Sequence, residues 1–204
     1  MQQTLIATAG VLIAGAVTPG PNNFLVLRQA ARLGWRGAVP PIAGIVVGSL
    51  TLLVLVSTGS RVVLGAVPHL ATAVAAVGAL YLAVLGARLA TARPAAEGAH
   101  SIEPARLPAG AGGLVLFQLV NPKAWLLVLT VTASAQGSLG PGRALPALAV
   151  LFVVIPTACL ALWAWAGVAL ARSPRWPSMQ PRFDRVMGAL LFASAALLLV
   201  DAVG

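Results

Sequence analysis

The sequence predicts an all-α integral membrane protein: six transmembrane helices arranged as two inverted-topology three-helix repeats, with helices 1 and 4 broken. Three observations carry this. The chain of 204 residues is 59% hydrophobic and only 8% charged, with a mean hydropathy of +0.96, so it has too few polar groups to cover a water-soluble globule. Six apolar stretches, at residues 5–27, 38–58, 66–89, 110–133, 144–170 and 186–203, each approach the roughly 20 residues a helix needs to cross a bilayer. Two of them contain a proline break flanked by asparagine, about a hundred residues apart.

The first helix holds Ala16-Val17-Thr18-Pro19-Gly20-Pro21-Asn22-Asn23. Proline lacks an amide hydrogen and its ring clashes with the carbonyl one turn back, so the segment should divide into two half-helices. Gly20 serves as N-cap and Pro21 fits the first helical position, which leaves the amides of Asn22, Asn23 and Phe24 without intrahelical partners. A helix N-terminus of this kind, at membrane depth, attracts anions. In the second helix, Gly44-Ile45-Val46-Val47-Gly48 is a GxxxG pattern that permits close helix approach. Packing within one chain is its first reading and a homodimer its second. After the third helix a polar stretch at 91–109, with Arg93, Glu97, His100, Glu103 and Arg106, links a first repeat (1–90) to a second (110–204).

The fourth helix repeats the break as Asn121-Pro122-Lys123-Ala124-Trp125. Asn121 caps and Pro122 opens the half-helix. Aligning Pro21 with Pro122 sets Phe24 against Trp125; Arg36-Gly37-Ala38-Val39-Pro40 faces Gly142-Arg143-Ala144-Leu145-Pro146, and Gly78-Ala79-Leu80 faces Gly188-Ala189-Leu190. Three weak matches in one order point to internal duplication. The basic residues then set orientation. The first, third and fifth connections hold Arg28, Arg32 and Arg36; Arg88, Arg93 and Arg106; and Arg172, Arg175, Arg182 and Arg185, whereas the second and fourth hold only Arg61 and Arg143. Cytoplasmic loops gather Lys and Arg, which places both termini outside. Three helices per repeat is an odd number, so the repeats enter the membrane in opposite senses.

Lys123 is the exceptional side chain. An ammonium in mid-span costs on the order of 2.5–3.5 kcal/mol, so it needs a polar partner or a watery cavity. At the start of a half-helix it adds charge to an already positive helix end, which calls for a carboxylate or a carbonyl-rich partner. Asn22 and Asn23 offer amide groups at the opposite break, to bind polar parts of a substrate or to brace the chain. Thr18 and Gln118 are further polar candidates, and Trp125 beside Lys123 is a candidate pocket wall or gate. The candidate substrate-binding set is therefore Thr18, Pro19, Gly20, Pro21, Asn22, Asn23, Gln118, Asn121, Pro122, Lys123 and Trp125. Trp35, Trp163, Trp165 and Trp176 read as interfacial anchors.

Several classes are excluded by what the chain lacks. One cysteine, Cys159, two histidines and four acidic residues cannot readily build a metal or haem site, and no cofactor is expected. Cys159 reads as an inert buried thiol. The net charge of +9 is scattered between apolar runs rather than gathered on a soluble face, so nucleic acid is not a partner and the bilayer is. Ser49, Ser57 and Ser134 have no base nearby and no phosphate loop occurs, so the chain is not read as an enzyme. Met1-Gln2-Gln3-Thr4 has no basic leader region, and the segment is read as retained.

Gly15-Ala16-Val17-Thr18-Pro19-Gly20-Pro21, Gly34-Trp35-Arg36-Gly37, Gly44 to Gly48 and Asn121-Pro122-Lys123, in this order over nearly the whole chain, resemble the LysE/RhtB-type (lysine exporter) translocator family. The resemblance implies a small multi-pass protein of the bacterial inner membrane that exports amino acids or related metabolites, coupled to an ion gradient as in an antiporter. It also implies functional weight for Pro19, Gly20, Pro21, Asn121, Pro122 and Lys123. Many relatives carry an acid just after the second-helix glycines, where this chain has Gly48-Ser49, so a simple carboxylate proton relay is not expected. Two rivals stand beside this reading: a transporter of a divalent metal or other inorganic ion, and a non-transporting scaffold or accessory subunit.

Overall fold

The computed structural model describes residues 2–66, 70–91 and 111–203. Those residues form seven helices joined by short breaks and turns, with no strand among them: α1 (Gln2–Val17), α2 (Pro21–Ala66), α3 (Leu70–Ala90), α4 (Ala111–Val120), α5 (Pro122–Leu139), α6 (Pro141–Ala171) and α7 (Trp176–Val203). The linker expected over 91–109 lies, but for Thr91, outside the described residues.

Both expected breaks are present. α1 ends at Val17 and α2 begins at Pro21, with the Phe24 amide donating to the Gly20 carbonyl at 3.0 Å. α4 and α5 are bent by 65° about Asn121. Asn121 has an extended backbone, and its side chain accepts from the Lys123 amide while Pro122 opens α5. Each proline thus occupies a position where a missing amide is harmless.

The connection expected around Arg28 to Arg36 is not a loop. Helical structure runs through it except at Gly34, where φ is 69° and ψ −164°, a conformation that only glycine adopts without strain. That one residue turns the chain. At about 1.5 Å per residue a straight helix over Pro21–Thr58 would measure about 57 Å, nearly twice the hydrocarbon thickness of roughly 30 Å; the kink divides it into a half-span and a full span. Gly140, with φ 73° and ψ 158°, makes the corresponding turn between α5 and α6. These are the two glycines of positive φ among the described residues.

By length and composition, Pro21–Thr58 and Arg143–Ala171 can each cross a bilayer, and the bent pair Ala111–Leu119 and Pro122–Ser138 qualifies if taken as one span. α2 packs chiefly against α6 and α4, α1 against α5 and α6, and α3 against α7. Close approach at these crossings depends on missing side chains. A Cβ on Gly48 would lie 2.8 Å from the side chain of Gln118, and one on Gly167 would collide with the Leu27 carbonyl. Gly86 and Gly188 face one another's carbonyls across the α3–α7 seam, at 2.8 and 2.7 Å from the position a Cβ would take. Ile6, Leu80, Leu116, Leu126, Val150 and Leu162 point outward and are exposed, as a lipid-facing surface requires. Trp35 and Trp165 are exposed as well. Cys159 is buried.

Candidate functional site

At the first break the last carbonyls of α1 have no intrahelical amides to accept from. Asn23, buried at the start of α2, supplies them: its Nδ2 donates to the Ala16 carbonyl at 2.9 Å and to the Thr18 carbonyl at 3.0 Å. Asn23 therefore stitches the two half-helices together. The Thr18 hydroxyl turns back on the Ala14 carbonyl at 2.5 Å and is not directed at the opposite break.

The second break is held by its own amides. Asn121 Oδ1 accepts from the Lys123 amide at 3.2 Å, and Asn121 Nδ2 donates to Gln118 Oε1 at 3.0 Å and reaches Asn22 Oδ1 at 3.5 Å. Gln118 Nε2 continues the chain to Ser49 Oγ at 2.7 Å. One buried polar line thus runs from the full-span part of α2 through α4 to both breaks. Buried amides of this kind must be paired, since an orphaned group costs about 1–3 kcal/mol. Trp125 stands outside the cavity lining: its indole Nε1 donates to the Leu119 carbonyl at 2.7 Å and braces the bend.

Lys123 joins the two breaks. Its Nζ donates to the Thr18 carbonyl at 2.8 Å and lies 3.2 Å from where a Cβ on Gly20 would be. The ammonium belongs to the positive start of α5 but rests on the negative, carbonyl-bearing end of α1, and this contact resolves the electrostatic conflict seen in the sequence. A side chain at Gly20 would crowd the site.

Between the breaks lies a cavity of about 60 Å³. Gly20, Pro21, Asn22, Asn23, Gln118, Asn121 and Lys123 line it, all of them sequence candidates; Thr18, Pro19, Pro122 and Trp125 do not. Its other walls are Ser49 and apolar groups that include Ile45, Leu127, Phe152 and Leu160. Ser49 was noted in the sequence for the acid it replaces and as a serine without a nearby base, not as a pocket residue; its place one residue after the glycine that packs on α4 was the available signal. Phe152 and Leu160 gave none, because one apolar residue of α6 resembles the next. The cavity is well below the roughly 150 Å³ that accommodates a benzene ring, so as it stands it is too small for a bulky cargo. Among the described residues Lys123 is the one ionisable group in the lining, and no carboxylate shares it.

Beyond the first break, a second cluster joins α2 to α7. Arg28 and Asp184 form an ion pair at 3.6 Å with both side chains largely buried. The guanidinium carbon sits 5.8 Å from the centre of the Phe24 ring, and Phe24 stacks on Phe183 at 6.0 Å. Nothing in the sequence brought Asp184 to Arg28, since they are distant in the chain.

Paired broken helices closing on a polar, lysine-bearing pocket within a multi-pass membrane bundle define a membrane translocator. The chain belongs to the LysE type translocator family, whose model matches residues 13–202. It is similar to the leucine efflux protein of Salmonella choleraesuis (strain SC-B67), at 30% identity over 137 residues covering 62% of this chain. It also resembles the cysteine/O-acetylserine efflux protein of the same organism, at 32% identity over 168 residues, 78% of this chain and 80% of that protein. The chain spans 64% of the length of the leucine efflux protein it matches. No solved structure matches.

Proposed function

We propose that this protein is a secondary transporter that exports amino acids or related small metabolites across the bacterial inner membrane, driven by an ion gradient. The observation that carries the reading is the Lys123 ammonium resting on the Thr18 carbonyl in a pocket formed by two helix breaks. A zwitterion matches the groups present. Its carboxylate would take Lys123 and the free amides at the start of α2, while its ammonium would take the Thr18 carbonyl that Lys123 gives up, with Asn22 Oδ1 as a further acceptor. Ile45, Phe152 and Leu160 leave an apolar wall for a side chain. The names of the two relatives, a leucine efflux protein and a cysteine/O-acetylserine efflux protein, support an amino-acid cargo.

In this reading the chain is six spans in two inverted repeats, 1–90 and 110–204, with the linker 91–109 cytoplasmic and both termini outside. Two features support the repeat. Gly34 and Gly140 share an unusual backbone conformation at matching points, in the register that aligns Arg36 with Gly142. The reciprocal contact of Gly86 with Gly188 is what an internal two-fold relation between α3 and α7 would produce, and it favours pairing Gly188 with Gly86 over Gly78. A divalent-ion transporter fits less well, because the lining offers neither carboxylate nor imidazole to a metal among the described residues.

The test is to measure intracellular and released pools of a panel of amino acids in cells with and without the protein. A selective fall in one or a few intracellular pools, matched by release, is expected. Unchanged pools across the panel at verified membrane abundance would overturn the reading in favour of an ion carrier or a scaffold.

A further inference from the structure

Two groups of hydroxyls in this protein contrast. Thr51, Thr58, Thr130, Ser138 and Ser194 are exposed, and each donates to the carbonyl four residues back, at 2.7–3.2 Å. That is the ordinary way a helix satisfies a hydroxyl facing lipid. Thr8 and Thr132, each only 3% exposed, and Ser57 do otherwise. Their oxygens are buried and have no partner among the described residues, although a carbonyl four residues back is available to each.

These three groups share one region. Thr8 lies ten residues before Thr18 on α1, and Thr132 ten residues after Pro122 on α5, so each stands about 15 Å from its break along the helix axis. Ser57 follows Ser49 by eight residues on α2, about 12 Å. Residues beside them along their helices, Leu12 one turn after Thr8, Leu53 and Val56 before Ser57 and Val131 before Thr132, belong to a single buried cluster with Phe152, a pocket wall. The hydroxyls are therefore on the side of the pocket that holds the start of α1, away from the Arg28–Asp184 pair. An apolar cluster that needed only to seal would be served better by Val or Ala at these positions, because an unpaired buried hydroxyl works against the packed state. Hydroxyls left without partners in a closed bundle acquire them when water and a polar cargo enter.

We infer that Thr8, Ser57 and Thr132 line the exit route by which a hydrated polar cargo leaves the pocket between α1, α2 and α5, each serving as a hydrogen-bonding step once the cluster opens. The inference rests on the export reading and on the orientation proposed with it, under which this half is the outer one. Cys159 is the single cysteine of the chain, so a Cys159→Ala background gives a clean scan, and its amino-acid efflux is measured first. Thr8→Cys and Thr132→Cys in that background are then treated, in intact cells, with a membrane-impermeant methanethiosulfonate reagent. External labelling at both positions during export is expected, and the attached bulk should stop efflux. In parallel, the isosteric pair Thr8→Val with Thr132→Val should lower efflux at least tenfold at parental abundance, with Thr8→Ser and Thr132→Ser restoring it.

A failure of either limb overturns the route. Cysteines that never react from outside show that the cluster does not open there, and valines that export at the parental rate show that the hydroxyls only fill space. Labelling reads solvent access whatever the cargo. Absence of amino-acid efflux in the unlabelled background would therefore count against the export reading, while the cysteines still judge the route.

Discussion

Replacing Lys123 with methionine separates a binding role from a merely accommodated charge. The substitution removes the ammonium that donates to the Thr18 carbonyl at 2.8 Å, a bond to a charged group worth about 1.5–3 kcal/mol. It also removes a charge whose insertion costs about 2.5–3.5 kcal/mol. The Thr18 carbonyl keeps the bond from Asn23 at 3.0 Å, so it is not orphaned. The two changes offset each other to within about 2 kcal/mol, and the variant should insert and fold at near-parental abundance. Loss of one charged partner to a carboxylate should nevertheless weaken recognition by about 10- to 150-fold, taking about 1.4 kcal/mol per factor of ten. Efflux from preloaded vesicles, normalised to abundance and measured with and without a pH gradient, reads this directly. Lys123→Arg refines it: an arginine that restores partial efflux shows that charge suffices, and one that fails points to proton release, which guanidinium resists. A methionine variant that exports at the parental rate would remove Lys123 from the site.

Four further outcomes follow from local geometry. Gly34→Ala should cost about 1–3 kcal/mol through backbone strain alone, since its Cβ would have nothing within 4 Å; thermal unfolding in detergent checks this. Gly167→Ala, driven into the Leu27 carbonyl, should lose more than about 1–3 kcal/mol, because backbone cannot step aside as a side chain can. Gly10→Ala, with open space around it, should be neutral or gain up to about 1 kcal/mol in the same assay. Asp184→Ala leaves Arg28 buried and unpaired and should cost about 3–5 kcal/mol, most of it recovered by the double variant Arg28→Met with Asp184→Leu; additive losses in that cycle would show that the pair does not interact.

The fold was legible where the chain breaks a rule. Prolines at 21 and 122 inside apolar runs announced both breaks because each stands beside asparagine at a helix start, whereas Pro146 and Pro156 are carried within α6; Asn121 before Pro122 announced its cap. The polar site was legible for a related reason: amides and one ammonium at membrane depth must meet partners, and seven of the candidates line one cavity. The partners themselves were not legible. Nothing local distinguishes an Asn23 that stitches carbonyls from an Asn22 that faces the cavity, since the two are adjacent and chemically identical. Trp125 next to Lys123 suggested a pocket wall, yet the 65° bend exposed the Leu119 carbonyl and the indole satisfied it. The turn at Gly34 was hidden among arginines that marked only a loop. The pairing of Arg28 with Asp184 depends on how α2 meets α7, which no single-chain pattern encodes.

The solitary charge in the cavity has an electrical consequence. Under the proposed export cycle, with Lys123 keeping its proton throughout and no carboxylate beside it among the described residues, the pocket carries one positive charge when empty and the same charge when a neutral zwitterion is bound. A full charge crossing the membrane field exchanges about 2.3 kcal/mol per 100 mV, and any part of the field that Lys123 traverses on the outward stroke it traverses again on the return. Membrane voltage would then bias which side the carrier faces at rest, while a permanently charged lysine moves no net current over a complete cycle; a lysine that releases its proton on one stroke would.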